Sequence, residues 1–159
     1  MATPLALLDT DEQQEINFNV LMSVRDRLKE LEHRKCNEDF LSFVKKFAPL
    51  LVSDFVMGKH IELIAEKLQK VESGEIKRLM VFLPPRSSKS VICSKLFPAW
   101  YIGKHDNHEI MSISHSDQLA SDFGRSVRDI VSEDTFQKVF NGVLLRQDVR
   151  AAGKWKTSG

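Results

Sequence analysis

The run Leu79-Met80-Val81-Phe82-Leu83, stopped by Pro84-Pro85, constrains this chain more than any other stretch. Unbroken apolar residues over the length of a strand fit a strand covered on both faces, as in a parallel sheet. A helix is expected from Lys89, kinked or restarted at Pro98 and closed by Gly103. Residues 109–114 read as a second strand, and Ser116 then caps a helix in which Leu119, Phe123, Val127 and Ile130 share a face. Strand, loop and helix occur twice in succession. Such alternation marks an α/β sheet with right-handed crossovers.

The chain before this region reads as helical. Residues 11–34 lack Gly and Pro and carry Ile16, Val20, Val24, Leu28 and Leu31 at helical spacings, which predicts a long amphipathic helix. A solvated or assembly role suits it better than a catalytic one. Asn37 is placed to cap a second helix, in which Phe40, Phe43, Val44 and Phe47 recur at i, i+3, i+4 and i+7 until Pro49 ends the pattern. A third helix is expected over residues 59–73, with Ile61, Ile64, Ala65, Leu68 and Val71 on one face and Gly74 as its stop. The expected organisation is a helical segment over residues 1–75 followed by an α/β core over residues 76–159. Beyond Ser132 the pattern weakens to a short helix near Phe136 and strand material at residues 143–145.

Composition excludes several classes. With 42% hydrophobic and 28% charged residues in 159, the chain reads as one soluble globular domain. Its formal net charge of +1 gives no global basic field, so any contact with DNA must be local. Cys36 and Cys93 stand far apart without a zinc spacing, which fits a reduced, intracellular setting. The apolar patch Met1–Leu8 has no basic residues before it and acidic ones directly after, unlike a signal peptide. No apolar run approaches the roughly 20 residues that cross a bilayer.

Chemistry concentrates in Pro84-Pro85-Arg86-Ser87-Ser88-Lys89-Ser90, between the first strand and its helix. A loop entering a helix start directs backbone N–H groups at one point, where the helix dipole also favours an anion. In the phosphate loop GxxxxGK[ST], the lysine reaches the β- and γ-phosphates and the hydroxyl holds Mg²⁺. Lys89 and Ser90 match those positions, whereas Leu83 and Ser88 stand where the two glycines would be. A serine in a strained region costs about 1–3 kcal/mol relative to glycine. On these residues alone two readings stay open, a triphosphate site and an ordinary helix start with a solvated lysine. His60, His105, His108 and His115 share no metal-ligand spacing.

Further residues carry a resemblance. Upstream of the loop lie Phe40-x-x-Phe43-Val44, His60 opening a helix, Val71-Glu72-Ser73-Gly74-Glu75-Ile76 and Arg78-Leu79-Met80-Val81. Downstream lie Phe97-Pro98-Ala99-Trp100-Tyr101-Ile102-Gly103 and the stretch from Ser114-His115-Ser116 to Phe123-Gly124-Arg125-x-Val127-Arg128-Asp129. From about residue 37 onward this series resembles the amino-terminal ATPase portion of phage terminase large subunits, the motors that package viral DNA.

The resemblance implies a partial P-loop NTPase sheet of the ASCE type, with ATP and Mg²⁺ as cofactors. It implies that Arg86, Ser87, Ser88, Lys89 and Ser90 bind nucleotide, that Ser90 holds the metal, that Arg86 stabilises the transferring phosphoryl group and that His60 helps cradle adenine. Ser114, His115, Ser116, Arg125 and Arg128 would couple nucleotide state to a DNA-facing surface. On charge alone the last two read as a solvated helix face before they read as DNA contacts, because charge on a helix is usually solvated. Implied partners are double-stranded DNA, the terminase small subunit and the portal protein, with a homo-oligomeric ring in the intact protein and no membrane, in the cytoplasm of an infected or lysogenic bacterium.

The family's acidic strand end follows a Trp-x-Thr-x-Gly stretch, and here the sequence closes on Trp155-Lys156-Thr157-Ser158-Gly159. With neither that strand end nor an Asp-rich nuclease half in these residues, the chain is expected to be truncated, to hydrolyse ATP poorly and not to cut DNA. Two other readings remain, a fragment of a P-loop helicase or other NTPase, and a non-catalytic assembly module built on the first two helices.

Overall fold

The computed structural model describes residues 10–105, 107–151 and 154–158, so the patch Met1–Leu8 and the closing Gly159 lie outside the described residues. The chain divides into two compact units, Met1–Arg34 and Lys35–Gly159. The described residues of the first form a helix. Its element, α1, spans Thr10–Glu38 and carries a local ion pair between Asp26 and Lys29 at 3.5 Å. The apolar positions Ile16, Val20, Val24, Leu28 and Leu31 are all exposed.

α1 extends past the expected end at residue 34 because its last carbonyls find donors. The indole N–H of Trp100 donates to the carbonyl oxygens of Cys36 at 3.0 Å and Asn37 at 3.1 Å. The Gln69 amide donates to the oxygen of Glu38 at 3.2 Å. Asn37 therefore sits inside α1 rather than capping the next helix, and its side chain donates to the Val139 carbonyl at 3.3 Å. The cap falls to Asp39, whose carboxylate accepts from the Ser42 N–H at 2.7 Å.

α2 (Phe40–Leu51) buries Phe40, Phe43, Val44 and Phe47, the face expected from their spacing. It runs two residues beyond Pro49, where the proline removes a single hydrogen bond from the last turn. α3 (Lys59–Glu72) buries Ile61, Ile64, Ala65 and Leu68, and Gly74 follows it with φ of +79°. That left-handed turn suits glycine.

α4 (Lys89–Val91), a π-helical stretch Ile92–Leu96 and α5 (Phe97–Lys104) abut one another. The wide turn precedes Pro98, whose ring needs room against the turn before it and which has no N–H to donate. Gly103 lies within α5 instead of closing it. The ring of Phe140 covers it so closely that a Cβ there would come within 2.6 Å. α6 (Asp117–Ser132) is capped by Ser116, which accepts from the Leu119 N–H at 3.3 Å, and α7 spans Asp134–Val139.

The α/β class is corrected by this structure. The architecture is mainly helical, and the only sheet among the described residues is an antiparallel pair, β1 (Leu144–Ala151) with β2 (Lys154–Ser158). Residues 79–83 and 109–114 lie outside that sheet, and no strand is assigned to either. The reason is physical. An apolar run encodes burial, but a parallel ladder also needs a neighbour whose N–H and C=O groups meet its own, and no described residues provide one. Leu79, Val81 and Leu83 pack partly against the helical core, while Met80, Phe82, Met111 and Ile113 each expose more than three-quarters of their surface.

The core that replaces the sheet is aromatic. Phe43 and Phe47 stack at 4.2 Å between ring centroids, Phe136 and Phe140 lie 4.7 Å apart, and Phe40 meets Trp100 at 5.1 Å. No helix among the described residues is long and apolar enough to cross a membrane. Trp100→Phe keeps most of the apolar volume but leaves two helix-end carbonyls without their donor. Chemical denaturation followed by circular dichroism should show a loss of ~1–3 kcal/mol.

Candidate functional site

The turn into α4 is built from alternating backbone hand. Arg86 has φ of +64° and Ser88 has φ of +59° with ψ of 11°, while Ser87 between them does not have positive φ and Lys89 is helical. Alternation of this kind rotates successive amides toward one side and forms a concavity that suits an anion. Ser87 pins the turn, its hydroxyl donating to the Pro84 carbonyl at 2.7 Å. The Ser88 carbonyl accepts from the Ile92 N–H at 3.1 Å, yet the Ser88 side chain makes no capping bond. The first-turn amides of Lys89, Ser90 and Val91 accordingly have no acceptor within the helix.

Ser88 thus occupies the conformation that a glycine would adopt freely. The sequence could locate this residue but not its φ. Strain of this kind costs ~1–3 kcal/mol and persists only where the surroundings over-determine it.

Lys89 and Ser90 open onto a groove of about 370 Å³, within the size range of small-ligand sites. Cys93 and Ser94 continue its helical wall, and the facing walls are apolar, from Leu68 and Val71 of α3 and from Leu79 and Val81. Among the described residues, neither the Lys89 amine nor the Ser90 hydroxyl has a hydrogen-bond or ion-pair partner. Burial pushes the Cys93 thiol up, with the nearby Lys89 charge pulling the other way, so this cysteine is not a ready thiolate. Arg86 is exposed, and it lies with Ser87 and Ser88 in the turn itself rather than among the residues lining this groove.

Other candidates from the sequence are not brought to this groove. His60 is exposed in the first turn of α3 and does not line it. Eight residues separate His60 from Leu68, roughly 12 Å along a helix. Ser114 is half-buried, His115 is exposed and Ser116 is occupied as the cap of α6. Arg125 pairs with Asp122 at 3.4 Å and Arg128 with Asp129 at 3.2 Å. Each arginine meets a carboxylate on its own helix, which makes this face locally neutral rather than a basic stripe. Among the described residues, no group of His, Cys, Asp and Glu is arranged to hold a metal ion.

One cluster escaped sequence reading because its members are more than thirty residues apart. Glu72, largely buried at the end of α3, accepts from Lys104 and His105, each at 2.9 Å. Burial pushes its carboxyl up, but the hydrogen bonds and charges of Lys104 and His105 prevail and hold it below the usual carboxylate range. Lys104 also lies over the Trp100 ring, 4.7 Å from its centroid.

No protein-family model, no curated protein and no solved structure matches this chain.

Two predictions concern these residues. Ser88→Gly should raise the unfolding free energy by ~0.5–1 kcal/mol, because relief of the left-handed strain exceeds the added freedom of the unfolded chain. Ser87→Gly, at a residue without positive φ and with a hydroxyl bond to lose, should lower it. For Glu72, a depressed native pKa means that its pairing stabilises the fold fully above the unfolded carboxylate value, about 4.3. That stabilisation fades as pH falls through the lower native value. Glu72→Gln should cost ~1–2 kcal/mol at neutral pH, and the gap from wild type in urea melts should close in acid.

Proposed function

We propose that residues 86–90 bind the phosphates of a magnesium nucleotide, with Lys89 reaching the β- and γ-phosphates and Ser90 offering its hydroxyl to the metal. The observation that carries this reading is the combination at one helix start. Backbone of alternating hand gathers amide hydrogens, and a partly buried lysine and a serine hydroxyl beside it have no described protein partner. An ordinary solvated helix start requires neither the strained turn nor the groove.

The residues fit the group in part. They supply cationic and N–H contacts for phosphate and one hydroxyl for Mg²⁺, so the ion would keep the nucleotide's own oxygens and water as its other ligands. Arg86, exposed in the turn, is available to the outer phosphate. Among the described residues, no carboxylate lines the groove to orient a water molecule. Binding, rather than rapid hydrolysis, is the activity this arrangement supports.

The wider reading rests on the sequence resemblance. In it the chain serves as the ATP-binding part of a terminase-type motor in the cytoplasm of a phage-bearing bacterium. Double-stranded DNA, the small subunit and the portal protein are then its partners.

Isothermal titration with Mg-ATP tests the site. The wild-type chain should bind, Lys89→Ala should weaken binding at least about tenfold, the effect of losing a charge-assisted phosphate contact, and Ser90→Ala should reduce the dependence on Mg²⁺. Adenosine, without phosphates, should bind far more weakly. Absence of Mg-ATP binding to the wild type, or full binding to Lys89→Ala, would refute the assignment.

A further inference from the structure

Within α1, Leu21, Val24, Leu28 and Leu31 recur at steps of three, four and three, the a and d positions of two consecutive heptads. They expose 67%, 48%, 56% and 58% of their surface. This seam differs from the series Ile16, Val20, Val24 and Leu28, whose uniform steps of four drift around the helix. Counting the same frame backward puts Asn17 at d. Along its flanks, Val20, Arg27 and Arg34 occupy g, and Phe18, Arg25 and Glu32 occupy e.

We propose that this face is a self-association surface and that its occupant is α1 of a second copy of this chain, aligned parallel and in register. Charge selects that arrangement. In a parallel pair, each g residue faces the e residue five positions later on the other helix. Arg27 then meets Glu32 of the second copy, and symmetry makes the contact twice. Val20 meets the aliphatic stem of Arg25, which can lie along apolar surface. Asn17 meets its own counterpart, where two amides can hydrogen-bond each other and penalise slipped registers.

The antiparallel register that uses all four apolar layers sets Leu21 against Leu31. It also places Arg25 on Arg25 and Arg27 on Arg27 across the two copies. Like charges disfavour it, and the seam gains nothing in exchange.

Sedimentation equilibrium on the full chain tests this independently of nucleotide binding. The wild type should dimerise with increasing concentration, and Leu28→Asp should abolish dimerisation while leaving the circular dichroism melt of Lys35–Gly159 intact, since Leu28 is exposed in the other unit. Arg27→Glu alone and Glu32→Arg alone each create two like-charge contacts and should weaken association about tenfold. An equimolar mixture of those two variants should associate like wild type, because both contacts between residues 27 and 32 are then opposite in charge. A wild-type chain that stays monomeric, a dimer that survives Leu28→Asp, or a mixture no stronger than its components would overturn the proposal.

Discussion

The second unit depends on how the junction between α1 and α2 is satisfied. Where one helix ends and another begins after a single residue, carbonyls and amides are orphaned together. Fully buried Trp100 answers two of the carbonyls with one indole N–H. Gln69 answers both ends of the break, donating to Glu38 and accepting from the Phe40 N–H at 3.1 Å. Because Trp100 sits on α5 and Gln69 on α3, the same bonds fix those helices around the phenylalanines of α2. Polar groups withdrawn from water are costly when left unpaired, and here no buried side-chain nitrogen or oxygen lacks a partner among the described residues.

That junction also positions the turn at residues 86–90 from one side. Ile92 and Leu96, fully buried one and two turns after Lys89, lock the start of the helical run into the core. The strain at Arg86 and Ser88 is then imposed from a rigid end. Strain placed at a helix start with unsatisfied amides costs less once an anion accepts those amides, so local geometry and ligand preference reinforce each other.

Legibility in the sequence followed the kind of interaction involved. Phe40, Phe43, Val44 and Phe47 were readable because a helix converts spacing directly into a buried face. Ser116 was readable as a cap because its bond to Leu119 is local. Asn37 does not cap α2 because its side chain is engaged by the Val139 carbonyl, about a hundred residues away, while Asp39 accepts from the Ser42 N–H, and the local pattern carries no sign of that distant contact. Gly103 sits inside α5 although its residue type suggests a stop, because the Phe140 ring above it leaves no trace in the local pattern. The strand reading of residues 79–83 failed at the same boundary. Hydrophobicity specified how much of the segment avoids water, whereas sheet membership is decided by the edge of another segment. Around the candidate site, the helix start at Lys89 was legible, but the backbone hand of Ser88 and the Glu72 cluster were not.

The segment at residues 79–83, which belongs to no strand, bears on how the proposed site would meet a ligand. On its helical side the turn is anchored by fully buried side chains, but on the other side it hangs from Leu79, Val81 and Leu83, which are only partly buried and have no ladder beneath them. A phosphate held by amides of the turn and by Lys89 would join the two sides, so its binding free energy would appear as added stability of the native state by mass action. Extended backbone with exposed apolar side chains is also a generic route to association. Association of that kind carries no requirement at Arg27 or Glu32, whereas the α1 seam does. The charge pattern of one helix therefore separates a specific pairing from mere stickiness of an open edge.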